Sequence, residues 1–245
     1  MSAESDHGDI QDRATGVFFA VTLGAAALSL GAGLYAWHRS QNAVAAPERT
    51  PQTTEAARNT RKVLQYFLIP LWTAAGIADW LCHRASKIER TTGIKETALH
   101  LVMLGEAGLP VLIGLFFEIN PLVLGLMISS FFVHEATAMW DVRYAVTGRK
   151  VTPLEQHAHS FLEMVPLMAV SLISLLHWPQ LEALMGRRNE KFAPLRRKSE
   201  PLDPVYAVGT LAVMALFEVA PYLEEAVRDL RTHRSVAYAE NRHAH

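Results

Sequence analysis

Residues 79–100 read DWLCHRASKIERTTGIKETALH, and residues 134–163 read HEATAMWDVRYAVTGRKVTPLEQHAHSFLE. Each block is a polar patch between two long apolar runs. Within them a carboxylate and a histidine recur in pairs: Asp79 with His83, Glu96 with His100, His134 with Asp141, and His159 with Glu163. Three pairs are spaced four apart and one seven apart, and on a helix either spacing sets both partners on one face. Asp79–His83 closes one apolar run and Glu96–His100 opens the next. His134–Asp141 closes a third and His159–Glu163 opens a fourth. Helices that cross a bilayer in alternating directions bring end, start, end and start to the same side. All four pairs are therefore expected at one level, near one membrane face.

Working outward, the apolar runs are residues 17–37, 64–83, 96–118, 121–141, 156–178 and 204–223, each about as long as a bilayer crossing needs. The chain has 245 residues, of which 50% are hydrophobic and 19% charged. That charge content is low for a soluble domain. The fold class is all-α, a polytopic integral membrane bundle of about six transmembrane helices. Residues 1–63 divide off as an N-terminal tail, an anchor helix and a polar linker. Residues 64–178 form a four-helix core, and residues 179–245 a basic loop, a sixth helix and a polar tail expected to be mobile. Glu4, Asp6, Asp9 and Asp12 precede the first run, where a signal peptide wants positive charge, so 17–37 reads as an anchor. Its Gly and Ala content suits close packing on a neighbour. Asn120–Pro121 marks a tight turn, and Pro70 is a candidate kink. The short loops on the pair side hold Arg84, Lys87, Arg90, Lys95, Arg143, Arg149 and Lys150, which leans that side toward the cytoplasm of an inner membrane.

Ionisable groups at membrane depth are costly and usually face a bundle interior. A bound cation removes much of that cost by supplying the opposite charge. Imidazole and carboxylate ligands without thiolate suit iron, manganese or zinc. The chain has one cysteine, Cys82, so a disulfide framework and a cysteine zinc knuckle are both excluded. Bundle cores are a common frame for two-metal carboxylate sites. Eight candidate ligands (Asp79, His83, Glu96, His100, His134, Asp141, His159 and Glu163) exceed what one tetrahedral zinc uses and suit two ions, or one ion with a full set of supporting groups around its ligands, iron first, with zinc or manganese as alternatives. His134 and Asp141 lie two turns apart, about 10 Å of rise, so they are not expected on one ion. Trp80 and Trp140 also read as interface anchors. Glu155 reads as a loop salt bridge, and His157 lies on a different part of its helix from His159.

Two carboxylates lie deeper. Glu106 is the candidate catalytic proton carrier beneath the metals, and Glu218 is placed to reach the site from a sixth direction. The ligand types resemble those of membrane di-iron oxygenases. Their HxxxH and HxxHH clusters are absent here, as is the ExxH of ferritin-like di-iron proteins, so the resemblance is one of chemistry and names no family.

The leading reading is a membrane oxidoreductase with a dinuclear iron site. Its partners are the bilayer and a lipid-soluble substrate such as a quinol, acyl chain or isoprenoid. One alternative is a zinc-dependent lipid hydrolase. The other is a cation or proton path, or a haem-binding electron-transfer subunit with His100 and His134 as axial ligands. Nucleic acid is not expected, because no basic run is interleaved with aromatics.

Overall fold

The computed structural model describes the backbone of residues 2–43 and 55–243, and the side chains of 16–43 and 55–235 except 18, 21 and 22. The described chain is mainly helical, with one long irregular connection at residues 185–203: α1 (Ser2–Ser40), α2 (Glu55–Val63), α3 (Ile69–Ser86), α4 (Ile94–Phe116), α5 (Pro121–Gly148), α6 (Pro153–Leu176), α7 (Trp178–Leu184), α8 (Pro204–Met214) and α9 (Ala220–His243). Two π-helical segments make longer rods of these. Leu64–Leu68 joins α2 to α3, and Ala215–Val219 joins α8 to α9. Each ends two residues before a proline, Pro70 and Pro221. A proline ring clashes with the carbonyl four residues back and cannot donate to it. The wider π turn relieves both problems, and the helix continues where the sequence suggested a kink.

Four described helices are long and apolar enough to cross a membrane: Ile94–Phe116, Pro121–Gly148, Pro153–Leu176 and Pro204–Ser235. The protein is thus an all-α, polytopic membrane protein with four candidate crossings among the described residues, where the sequence suggested about six. The rod ending at Ser86 falls short because Asp79, His83 and Arg84 occupy its last turns. The C-terminal region also differs from expectation. The helix does not stop near residue 223 but runs on to His243, and its polar residues are not a loose tail.

Local sequence explains the ends. Asn120 caps α5, its side chain accepting from Val123 N at 2.9 Å, with Pro121 at the first helical position. Thr152 and Glu155 form a reciprocal capping box at the start of α6. Gly93 starts α4 at φ 60° and ψ −146°, a conformation that side chains avoid. Helix α1 lies along α5 through small residues. A Cβ on Gly125 would meet Ser29 O at 2.6 Å, so only glycine permits this approach. Away from the pairs, Ile113, Ile119, Val123, Leu124 and Met127 form an apolar cluster. Leu68, Trp72, Val165 and Met214 form another at mid-bundle. The ends of α3 and α5, the starts of α4 and α6, and the α8–α9 rod enclose the remaining space, and it is polar.

Candidate metal centre

Two buried groups of metal-ligating side chains lie side by side and share His83. One is Asp79, His83, Glu155 and His159; the other is His83, Glu96 and His100. Within each, the ligand atoms lie within 4.8 Å of one another. Asp79 and His83 face inward together because they are one turn apart on α3, and Glu96 and His100 do so on α4. The imidazoles of His83 and His100 stack with centroids 4.3 Å apart and planes 6° from parallel.

Glu225 on α9 orients both rings. Its Oε2 lies 3.0 Å from His83 Nδ1, and its Oε1 lies 2.7 Å from His100 Nδ1. With each neutral ring donating Nδ1–H to this one carboxylate, both Nε2 atoms carry a lone pair pointing the other way. His83 Nε2 lies 3.4 Å from Asp79 Oδ2 and 3.6 Å from Glu155 Oε1. His100 Nε2 lies 3.4 Å from Asp141 Oδ1 and 3.9 Å from Glu96 Oε1. Both Nε2 atoms are buried without a well-aligned hydrogen-bond partner, as is Asp141 Oδ1. His159 Nε2 reaches Asp79 Oδ1 at 2.9 Å as an ion-pair contact. Buried polar atoms are nearly always paired. Nitrogens that face carboxylate oxygens at 3.4–3.9 Å, longer than an ordinary hydrogen bond, are the geometry that a cation between them would satisfy. The orienting carboxylate behind a histidine is also the usual support of a metal-bound imidazole.

The charge balance points the same way. Asp79, Glu96, Asp141, Glu155, Glu218, Glu225 and Asp229 are all buried. Arg149, just past the end of α5, brings the cation that answers two of them. Its guanidinium forms ion pairs with Glu96 and Glu155, with Nε 3.1 Å from Glu96 Oε1 and Nη1 3.0 Å from Glu155 Oε2. Burial works against the charge on Arg149, but the hydrogen bonds it donates to Glu155 and Glu96 more than offset it and hold its pKa above the ordinary value. The remaining five carboxylates have no Lys or Arg partner among the described contacts. Asp79, Asp141 and Glu225 face histidines instead, and buried carboxylates without enough positive charge are strongly destabilising.

The C-terminal rod supplies four of the enclosed groups. Glu218, Tyr222, Glu225 and Asp229 recur at spacings of four, three and four, a single helical stripe. Tyr222 Oη donates to Asp79 Oδ2 at 3.2 Å, and Thr97 donates to Asp229. Glu218 sits on the second π segment with its carboxylate against Gly76, where a Cβ would come to 2.8 Å from Oε1.

Of the eight residues that the sequence singled out as ligands, Asp79, His83, Glu96, His100, Asp141 and His159 converge here. His134 and Glu163 do not join the clusters. Two turns of helix separate His134 from Asp141, and its Nδ1 faces Glu106 Oε2 at 3.7 Å instead. Glu163 is half-buried and borders a small cavity beside the clusters. His157 is exposed against Phe161. The sequence reading missed Arg149, Glu225, Tyr222, Asp229 and the full burial of Glu155. The capping-box spacing of Thr152 and Glu155 and the acidic stripe from 218 to 229 were the available signals.

Comparison with protein-family models, curated proteins and solved structures finds no match to this chain. What the fold and site define is a membrane helix bundle with two adjoining buried His/Asp/Glu clusters that suggest a metal site, consistent with a di-iron type.

Proposed function

We propose that the protein is a membrane oxidoreductase holding two metal ions, iron by preference, and acting on a lipid-soluble substrate. One ion would be held by Asp79, His83, Glu155 and His159, the other by Glu96, His100 and Asp141. The observation that carries this is the pair of Nε2 atoms, oriented by Glu225 and left without hydrogen bonds amid carboxylate oxygens. Two such ions would supply redox or Lewis-acid chemistry. The chain's own part is to fix the ligands and to answer Glu96 and Glu155 with Arg149. The metal-bearing end faces the cytoplasm on the loop-charge argument. A zinc-dependent hydrolase uses the same ligand types and is separated from this reading by the metal itself. A haem between His100 and His134 is poorly supported, because the cavity that borders both has only about 50 Å³.

Arg149 favours one rival reading, in which the network is a closed ion-pair core or a proton path with no metal. Elemental analysis of protein extracted without chelators separates the two. We expect about two transition-metal equivalents per chain in the parent. In His83→Ala, which removes the residue common to both clusters, the content should fall below about a quarter of the parent's. In His177→Ala, at the other end of α6, it should not change. Less than about a tenth of an equivalent in the parent after reconstitution with iron, zinc or manganese would leave the ion-pair reading standing.

A further inference from the structure

Two cavities meet at Trp72 and His134, which line both. The smaller borders Asp79, His100, Asp141 and His159. The larger, about 380 Å³, runs from there toward the opposite end of the bundle along Leu68, Val111, Val165 and Val170, and ends near Arg61 and Lys198. Its size is that of a ligand pocket. Its walls are apolar along the middle, and polar groups stand at both ends: Arg61, Glu118, Lys198 and Glu200 at the outer one, Glu106 and His134 at the inner one.

There Glu106 Oε2 and His134 Nδ1 face each other 3.7 Å apart. Both atoms are buried and neither has a hydrogen-bond partner. The other Glu106 oxygen is held by Thr137 Oγ1 at 2.9 Å, which fixes the carboxylate with Oε2 free. The His134 side chain is 8% exposed. The gap is too wide for a bond between the two groups. It is narrow enough for one oxygen atom to lie at ordinary hydrogen-bond length from both. A hydroxyl suits the pair, since it can donate to Glu106 Oε2 while accepting from His134 Nδ1–H. A carboxylate has no proton to donate and would face another carboxylate. A bare hydrocarbon satisfies neither atom.

We propose that the larger cavity takes a long-chain lipid with an uncharged hydroxyl head, seated head first, the hydroxyl between Glu106 and His134 and the chain along Leu68, Val111 and Val165. This names the substrate class of the metal enzyme proposed above and rests on that reading. It places the head beside the small cavity that borders the clusters. Long-chain alcohols and quinols share this chemistry.

Trp72 in the wall reports the occupant. A dibrominated octadecanol, the matching dibrominated octadecanoic acid and the matching dibrominated octadecane are titrated into the full-length protein in micelles. Quenching of Trp72 is read against Trp72→Phe. The alcohol should quench at a concentration lower than the other two by about tenfold or more, because a site built for a hydroxyl rejects analogues that lack it. Glu106→Leu should abolish that preference, and Glu106→Gln, whose one acceptor oxygen serves both Thr137 and the hydroxyl, should fall between. A measurement on the parent protein alone guards against misfolding of the variants. Unlabelled octadecanol should displace the brominated alcohol about tenfold better than its methyl ether, which cannot donate. Displacement by an alkylhydroquinone at still lower concentration assigns the head to quinols, and the reverse order assigns it to alcohols. Equal quenching by all three lipids, or displacement by the ether as good as by the alcohol, overturns the proposal. Each titration is run on metal-loaded and on chelator-stripped protein. Lost preference with metal bound refutes this inference alone. Preference without any metal binding keeps the lipid site and refutes the metal reading.

Discussion

Where α3 and α5 end and α4 and α6 begin, the side chains with no solvent exposure include His83, Glu96, Glu155 and Glu225; at the far end of α5, Val123 and Leu124 hold that position, packed with Ile113 and Met127. The same helices run through both regions. In a bilayer the apolar end gains little from burying leucine, since lipid is as apolar as the interior, and it rests on packing alone. The polar end cannot be traded for lipid. Each carboxylate there needs a proton, a cation or a donor, and so that end fixes which helices must meet. The difference teaches that specificity in this bundle resides at one end, held by complementary charge, while the other end tolerates apolar exchange.

The contrast is open to four tests, the first with the largest expected effect. Arg149→Leu leaves Glu96 and Glu155 buried without their cation and should destabilise the protein by about 3–5 kcal/mol. Thermal unfolding of stripped and metal-loaded protein measures this. The stripped form should suffer more, and equal losses would mean that metals and Arg149 do not share the same carboxylates.

Glu225→Ala removes the acceptor behind both imidazoles and should weaken metal binding by about tenfold to a hundredfold, read by competition with a chelator. Glu225→Gln should fall between, because an amide offers one acceptor oxygen where two N–H donors need one each. Unchanged binding in both would show that Glu225 only fills space.

At the apolar end, Leu124→Ala should cost about 2 kcal/mol, the low end for such truncations, because the transfer contribution is small in lipid. Metal content should stay at the parental level, and a fall would mean that the two ends are coupled.

The smallest effect is expected for Gly76→Ala. The new methyl meets the Glu218 carboxylate, the movable end of a side chain, so about 1 kcal/mol is lost. If stability instead falls as far as in Arg149→Leu, Glu218 is as fixed as the clusters themselves.

Much of the polar end was legible because helical spacing and membrane alternation are one-dimensional rules. Asp79–His83 and Glu96–His100 converge because four residues make about one turn. Asp141 and His159 converge because α5 ends and α6 begins on the same side. The same rules left His134 out, since seven residues carry it two turns away from Asp141, and there it meets Glu106. Reading Glu155 as a loop ion pair caught its partner Arg149 only in kind. Position 155 is inside the first turn of α6, capped by Thr152, and that turn is buried.

The C-terminal rod was less legible because hydropathy measures a segment's preference for lipid and not for its neighbours. The apolar pattern fades after residue 223, and the reading ended the helix there. In the structure Glu225 and Asp229 are buried, since imidazoles from α3 and α4 and the hydroxyl of Thr97 meet them. Sequence alone determined the helical class, the membrane setting and the face on which the paired residues gather, because each follows from periodicity within one segment. Tertiary structure alone decided that one glutamate would orient two histidines and that one arginine would join two others. Such choices depend on which distant helices touch, and no local pattern encodes that.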